Sequence, residues 1–158
     1  EIAVKEGRNV LIMTSYNPVN GDWSASNYDL TTTILRNEWG YEGVVMTDWW
    51  AKCNRAGEAG TTENLEAMVW AQNDLYMVCE NAQDRSRSIL RGLAEGYITR
   101  GDLQRNAMNL LRLILKTPTF ERYVKNWRFR MRIGKSCAPL LILSPAAQSR
   151  KRSAVKHL

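Results

Sequence analysis

The sequence predicts an α/β fold, a parallel sheet covered by helices. Three observations lead there: apolar runs of strand length near residues 10–13, 44–46 and 75–78, helical apolar patterns between them, and polar or aromatic residues where each run ends. Val10, Leu11, Ile12 and Met13 make the first strand, and the turn-forming residues Asn17, Pro18, Val19, Asn20 and Gly21 follow it. A helix comes next, with Leu30, Ile34 and Leu35 on one face, and stops at Trp39 and Gly40 with the glycine at C′. Val44, Val45 and Met46 form the second strand. Thr62 is expected to cap a second helix carrying Glu63 and Glu66 in its first turn and Leu65, Met68 and Val69 on its apolar face. Leu75, Tyr76, Met77 and Val78 then complete a second strand-helix-strand unit. A helix over residues 85–95 ends at Gly96, and Thr99 to Asp102 resembles a capping box with Asp where Glu or Gln is usual. Leu103, Ala107, Leu110, Leu111 and Ile114 form the apolar stripe of a last helix. Three strands leave both sheet edges open, so the pattern reads as part of a larger α/β fold.

The chain has 158 residues, of which 44% are hydrophobic and 24% charged, with a formal net charge of +6. That charge is unevenly placed. Residues 1–118 hold 12 Lys and Arg against 15 Asp and Glu, a net of −3, whereas residues 119–158 hold 10 against 1, a net of +9. A boundary is therefore expected near 118–127, followed by an irregular basic tail, either disordered or non-native; out-of-frame translation would explain the abrupt change. No apolar run reaches the roughly 18 residues of a membrane span, and the first residues lack the basic start and apolar core of a signal peptide, which argues against membrane insertion and Sec export. Cys53, Cys79 and Cys137 are odd in number and widely spaced, which suggests neither a disulfide framework nor a zinc site and makes a reducing, cytoplasmic setting the expectation.

In parallel α/β folds the chemistry gathers at the carboxyl ends of the strands. Asp48 is the sharpest candidate there, since it directly follows a buried strand and precedes Trp49 and Trp50. A carboxylate beside exposed indoles suits carbohydrate: the apolar face of a sugar stacks on the ring while the carboxylate attacks the anomeric carbon. The residues alone leave open the alternative that Asp48 caps the next segment and the tryptophans are core.

Three ordered segments resemble glycoside hydrolase family 3: Ile12-Met13-Thr14-Ser15-Tyr16-Asn17-Pro18-Val19-Asn20-Gly21, Leu35 through Gly43-Val44-Val45-Met46-Thr47-Asp48-Trp49-Trp50, and Ala71-Gln72-Asn73-Asp74-Leu75-Tyr76-Met77. The resemblance covers about residues 1–118. It implies a partial (β/α)8 TIM barrel, consisting of the last three strands with their helices at the C-terminal part of the barrel domain, and a lineage of retaining β-glycosidases that hydrolyse terminal β-D-glucosides. Relatives acting on β-xylosides or β-N-acetylglucosaminides belong to the same family. By resemblance, Asp48 matches the nucleophile of the V-M-x-D-W motif. Trp49 matches the aromatic residue bordering the sugar subsites, Tyr16 the tyrosine close to the nucleophile, and Met13 a residue near the bound sugar. Gln72 stands where the family has glycine before Asn73 and Asp74, a segment expected to be structural. No metal or organic cofactor is implied, because two carboxyl groups and water carry the reaction.

The second carboxyl group matches no position in the chain. In the family it comes from an α/β-sandwich domain or a loop outside this region, so the missing barrel and sandwich domains are expected partners and the chain reads as a fragment. Glu80 and Asp84 are available carboxylates without a matched role, and His157 lies in the basic tail. A rival reading gives Arg128, Arg130, Arg132, Lys135, Arg150, Lys151, Arg152 and Lys156, beside Trp127 and Phe129, to nucleic acid or acidic partners. No recognisable nucleic-acid module supports it, and a solvated tail is the simpler account. A third is a non-catalytic remnant.

Overall fold

The structure is a computed structural model that describes residues 1–7, 9–77 and 82–133, the side chains of residues 82–85 and 128–133 excepted. Cys79, Glu80, Cys137 and His157 lie outside the described residues, as do the side chains of Asp84, Arg128, Phe129, Arg130 and Arg132 and the basic positions from 135 onward. The chain divides into two compact units, Glu1–Thr117 and Pro118–Leu158.

The first unit begins with a short helix, α1 (Ile2–Lys5), and the strand β1 (Leu11–Met13). Pro18–Val19 (β2) and Asp22–Trp23 (β3) form a small antiparallel hairpin. Its loop residues Asn20 and Gly21 have φ of 54° and 93°, the left-handed pair that a two-residue hairpin turn requires. A 3₁₀ turn (Ser24–Ser26) leads into a wide, π-type helix (Asp29–Glu38), where Trp39 N donates to Ile34 O five residues back. β4 (Val44–Trp49), α2 (Leu65–Trp70), β5 (Leu75–Met77), α3 (Ala82–Ala94) and α4 (Arg100–Leu115) follow.

The strand order is β1-β4-β5, all parallel, so both connections are strand-helix-strand units as expected. Ile12 pairs with Val45 and packs with Leu35 and Tyr41, which is why these strands are apolar on the helix side. A second cluster of Ala25, Ala51, Cys53, Met68, Val69 and Ile98 seats α2 and α3. The opposite sheet face differs from the expectation of a doubly covered sheet: Leu11, Met13 and Leu75 on it are exposed. Met46, which pairs with both Met13 and Leu75, lies on this same open face. Among the described residues three strands do not close a barrel.

Three further expectations change. The cap of α2 is Asn64 rather than Thr62, and Glu63 precedes the helix, because Thr61 is held by paired hydrogen bonds with Cys53 and the chain must still turn before Leu65. In α4 the buried positions are Asn106 and Asn109, while Ala107, Leu111 and Ile114 of the apolar stripe face outward. The asparagines go inward because they satisfy buried groups: Asn106 donates to Asn73 O at 3.0 Å and Asn109 to Asp74 Oδ1 at 2.9 Å. Leu103 alone of the stripe joins the core cluster.

The second unit opens with a helix, α5 (Pro118–Ile133), where an irregular tail was expected. Pro118 is its first residue, the one helical position where the missing N–H costs nothing. Glu121 in the first turn pairs with Lys125 at 2.7 Å one turn on.

Candidate active site

Asp48 sits near the carboxyl end of β4, the central strand of the sheet. Its Oδ1 accepts from Trp49 N at 2.7 Å. The hydroxyl of Tyr16, from the loop after β1, lies close enough to feel the charge of the same carboxylate. The Tyr16 hydroxyl is held above the usual phenol range by partial desolvation first, and then by the negative charge of Asp48 and the hydrogen bond to it. The resemblance expects a tyrosine near the nucleophile, and the Tyr16 hydroxyl responds to the Asp48 charge.

Trp49 and Trp50 stand beside Asp48, each about half exposed at 49% and 46%. Their rings meet edge to face, with centroids 5.5 Å apart and planes at 78°. Among the described residues neither ring is buried. Met13, at the end of β1, is 56% exposed and opens onto a largely apolar groove of about 360 Å³ that includes Ile12, Ser15 and Ile34. A larger cavity of about 500 Å³ lies at the opposite ends of the strands, around Val10, Gly43 and Val44, away from Asp48.

The loops bearing these groups are tied together by residues that the sequence did not single out. Asn54, buried after β4, accepts from Trp23 N at 2.9 Å and from Ser26 Oγ at 3.3 Å, and it donates to Asp22 Oδ1 at 3.1 Å. It thereby joins the hairpin after β1 to the loop after β4. Trp23 packs so closely on Gly60 that no Cβ fits there, and the Lys52 ammonium lies 5.1 Å from the Trp23 ring. Below this, buried Glu66 pairs with Arg55 and Arg91, while Arg55 reaches Glu95 at 2.7 Å and lies 4.3 Å over the Tyr97 ring. No local pattern marks Asn54 or Arg55, since a polar loop residue carries no periodicity.

Asn73 is fully buried and donates to Ala25 O at 3.2 Å and to Thr14 Oγ1 at 3.4 Å, fixing the start of the loop that bears Tyr16. Asp74 bonds Val45 N at 3.0 Å, near the start of β4 and three residues before Asp48, so its part is structural as expected. Among the described residues no three His, Cys, Asp or Glu side chains gather as a metal site, and no helix is long and apolar enough to cross a membrane.

The arrangement is a carboxylate on a strand end with a phenol close by and two partly exposed indoles after it. Comparison with known proteins gives it a lineage. The chain is 46% identical over 122 residues to a beta-glucosidase of Ruminococcus albus, covering 77% of this chain and 13% of that protein. It is 35% identical over 129 residues to an exo-alpha-(1->6)-L-arabinopyranosidase of Bifidobacterium breve, covering 82% and 15%. Among solved structures, a beta-glucosidase from Paenibacillus barengoltzii superposes with a TM-score of 0.68 at 57% identity, over 74% of this chain and 13% of that one. The chain thus spans about an eighth to a seventh of the length of these relatives. Residues 1–113 match the model of the glycosyl hydrolase family 3 N terminal domain, so the part represented is that N-terminal domain and the chain belongs to glycosyl hydrolase family 3.

Proposed function

We propose that this chain carries the nucleophile of a retaining β-glycosidase acting on terminal β-D-glucosides. The observation that supports it is Asp48 at the end of the central strand, with the Tyr16 hydroxyl close enough to feel its charge and exposed Trp49 beside it. In this reading the three strands are the last three of the family's eight-stranded barrel. The remaining strands would cover the open sheet face and both unpaired edges. The acid/base group would come from polypeptide beyond these 158 residues, such as the barrel's other parts or a sandwich domain. Hydrolysis of glucosides is the property of the beta-glucosidases it resembles, carried here as an expectation.

In this reading the chemistry runs as two displacements. The Asp48 carboxylate attacks the anomeric carbon as the bond to the leaving oxygen breaks, and that oxygen takes a proton from the acid group. Water, deprotonated by the same group, then attacks the anomeric carbon and releases the sugar and the Asp48 carboxylate. Tyr16 places its hydroxyl beside the carboxylate, while Trp49 offers an indole face to the sugar.

The test is urea unfolding of the 158-residue chain, followed by the fluorescence of its six tryptophans, with and without a glucose-mimicking iminosugar. A ligand at a hundred times its Kd stabilises by about 2.7 kcal/mol, which moves the midpoint visibly. The shift is expected for the unmodified chain and lost in Asp48→Asn. An identical midpoint with and without ligand in the unmodified chain would count against a sugar site around Asp48.

A further inference from the structure

We propose that α5 is a membrane-surface helix, whose face bearing Tyr123 and Trp127 docks on an anionic lipid surface without crossing the bilayer. The inference belongs to the second unit alone and does not depend on the role of Asp48.

The first observation is the order of side-chain types along the helix. Phe120, Tyr123, Val124 and Trp127 recur at i, i+3, i+4 and i+7, which gathers these positions within about 100° of the helix circumference. Glu121, Arg122 and Lys125 fall outside that arc. The stripe is not spent on a core, because Tyr123 is 67% and Trp127 54% exposed. Rings of this kind, each with an apolar body and a polar tip, settle at the boundary between hydrocarbon and water.

The second observation, independent of the first, is charge. The helix holds Arg122, Lys125, Arg128, Arg130 and Arg132 against one acid, Glu121, a net of +4. Glu121 is paired with Lys125 at 2.7 Å, so its charge is offset within the helix itself. Residues 134–158 add Lys135, Arg150, Lys151, Arg152 and Lys156 and no acid.

Stripe and charge together select the occupant. A second copy of the helix would bring two strongly cationic faces against each other. Nucleic acid would use the charge, but it has no use for the unbroken apolar row that Phe120 and Val124 complete. An anionic lipid surface uses both: the aromatic rings enter the headgroup boundary, and the basic residues meet lipid phosphates. At about 24 Å for its 16 residues, and with five basic positions, α5 is too short and too charged to span a bilayer, so it would lie in the interface.

The experiment measures sedimentation of the 158-residue chain with vesicles of phosphatidylcholine alone and of phosphatidylcholine with a quarter phosphatidylglycerol. The chain is expected to bind the anionic vesicles at least roughly tenfold more tightly and to be released as salt rises from about 0.1 to about 0.5 M. Tyr123→Gln combined with Trp127→Gln, two exposed positions given a good helix former, is expected to weaken that binding by roughly tenfold. A second measurement stands whether or not the double variant keeps its helix. Brominated acyl chains should quench part of the tryptophan fluorescence of the unmodified chain, and that part should vanish in Trp127→Phe while binding persists. No binding to either vesicle, equal binding to both, anionic binding undiminished in the double variant, or quenching that persists in Trp127→Phe would overturn the proposal. Complete displacement from the anionic vesicles by a DNA oligonucleotide at equal phosphate concentration would overturn it too, and would assign the basic face to nucleic acid.

Discussion

Arg36 and Asp74, thirty-eight positions apart, meet at 2.7 Å with both side chains almost wholly buried. Asp74 also accepts from Val45 N at 3.0 Å and Asn109 Nδ2 at 2.9 Å, and Arg36 donates to Gln72 O through Nη2 at 2.8 Å. One ion pair thus ties the π-type helix, β4, the segment before β5 and α4. Removing one partner leaves a buried charge uncompensated, which costs about 3–5 kcal/mol. Asp74→Asn is expected to lose most of that in urea unfolding, and the double variant with Arg36→Met to lose less than the two single losses combined. Additive losses would mean that the two groups are independent.

Gln72 has φ of 64°, in the left-handed region, at the place where the family resemblance expects glycine. The conformation explains that expectation, because an L side chain there costs roughly 1–2 kcal/mol that glycine avoids. Only backbone groups of Gln72 serve the contacts with Arg36 and Val69. Gln72→Gly is therefore expected to raise stability, by about 1 kcal/mol once the greater freedom of glycine in the unfolded chain is set against the relief. A lower urea midpoint would show that the Gln72 side chain contributes more than its backbone strain removes.

How much of this was legible depends on how local the cause is. The strands were legible because Ile12 and Val45 must be apolar to face Leu35 and Tyr41. The capping box was legible because Thr99 and Asp102 bond each other's backbone across three residues, Thr99 N to Asp102 Oδ2 at 2.8 Å and Asp102 N to Thr99 Oγ1 at 3.2 Å. Which way α4 turns was not legible. Its inward face is set by Asp74 and Asn73 O, which lie 33 to 35 residues away, so Asn109 and Asn106 win over an apolar stripe that periodicity alone would bury. The start of α5 was not legible either: a boundary and an irregular tail were expected near 118–127, yet Pro118 at the first helical position opens a helix. At the site, Asp48 stood out through its strand and its tryptophans, the Tyr16 contact came only through the resemblance, and Asn54 gave no signal at all.

Alkaline stability follows from two buried acids on the helix side of the sheet. Burial, with the Glu66 charge nearby, pushes the Cys53 thiol from 9.0 up to about 12. Tyr41 moves from 10.0 to about 12, chiefly by burial, with Arg36 opposing and Asp74 reinforcing the rise. Both groups are neutral when protonated, and the folded state holds these protons more tightly than the unfolded chain. Their stabilising effect is thus whole below about pH 9 and is lost as pH climbs from 9 toward 12. Urea midpoints measured across that range should fall, and Cys53→Ala and Tyr41→Phe should each make the fall shallower. A midpoint flat from pH 9 to 12 would contradict the burial of both groups.

The Tyr16 contact with Asp48 can be read without any substrate. Three causes raise the Tyr16 hydroxyl: partial desolvation, the Asp48 charge, and the hydrogen bond to Asp48. Asp48→Asn removes the charge and replaces the carboxylate acceptor by a neutral amide oxygen, leaving only desolvation intact. The Tyr16 titration is therefore expected to move back toward the ordinary phenol value in Asp48→Asn, followed by NMR of ring-labelled tyrosine and assigned with Tyr16→Phe. The other five tyrosines should titrate unchanged, which separates a local effect from unfolding. An unmoved Tyr16 titration in a folded Asp48→Asn protein would mean that the Asp48 carboxylate does not act on the phenol.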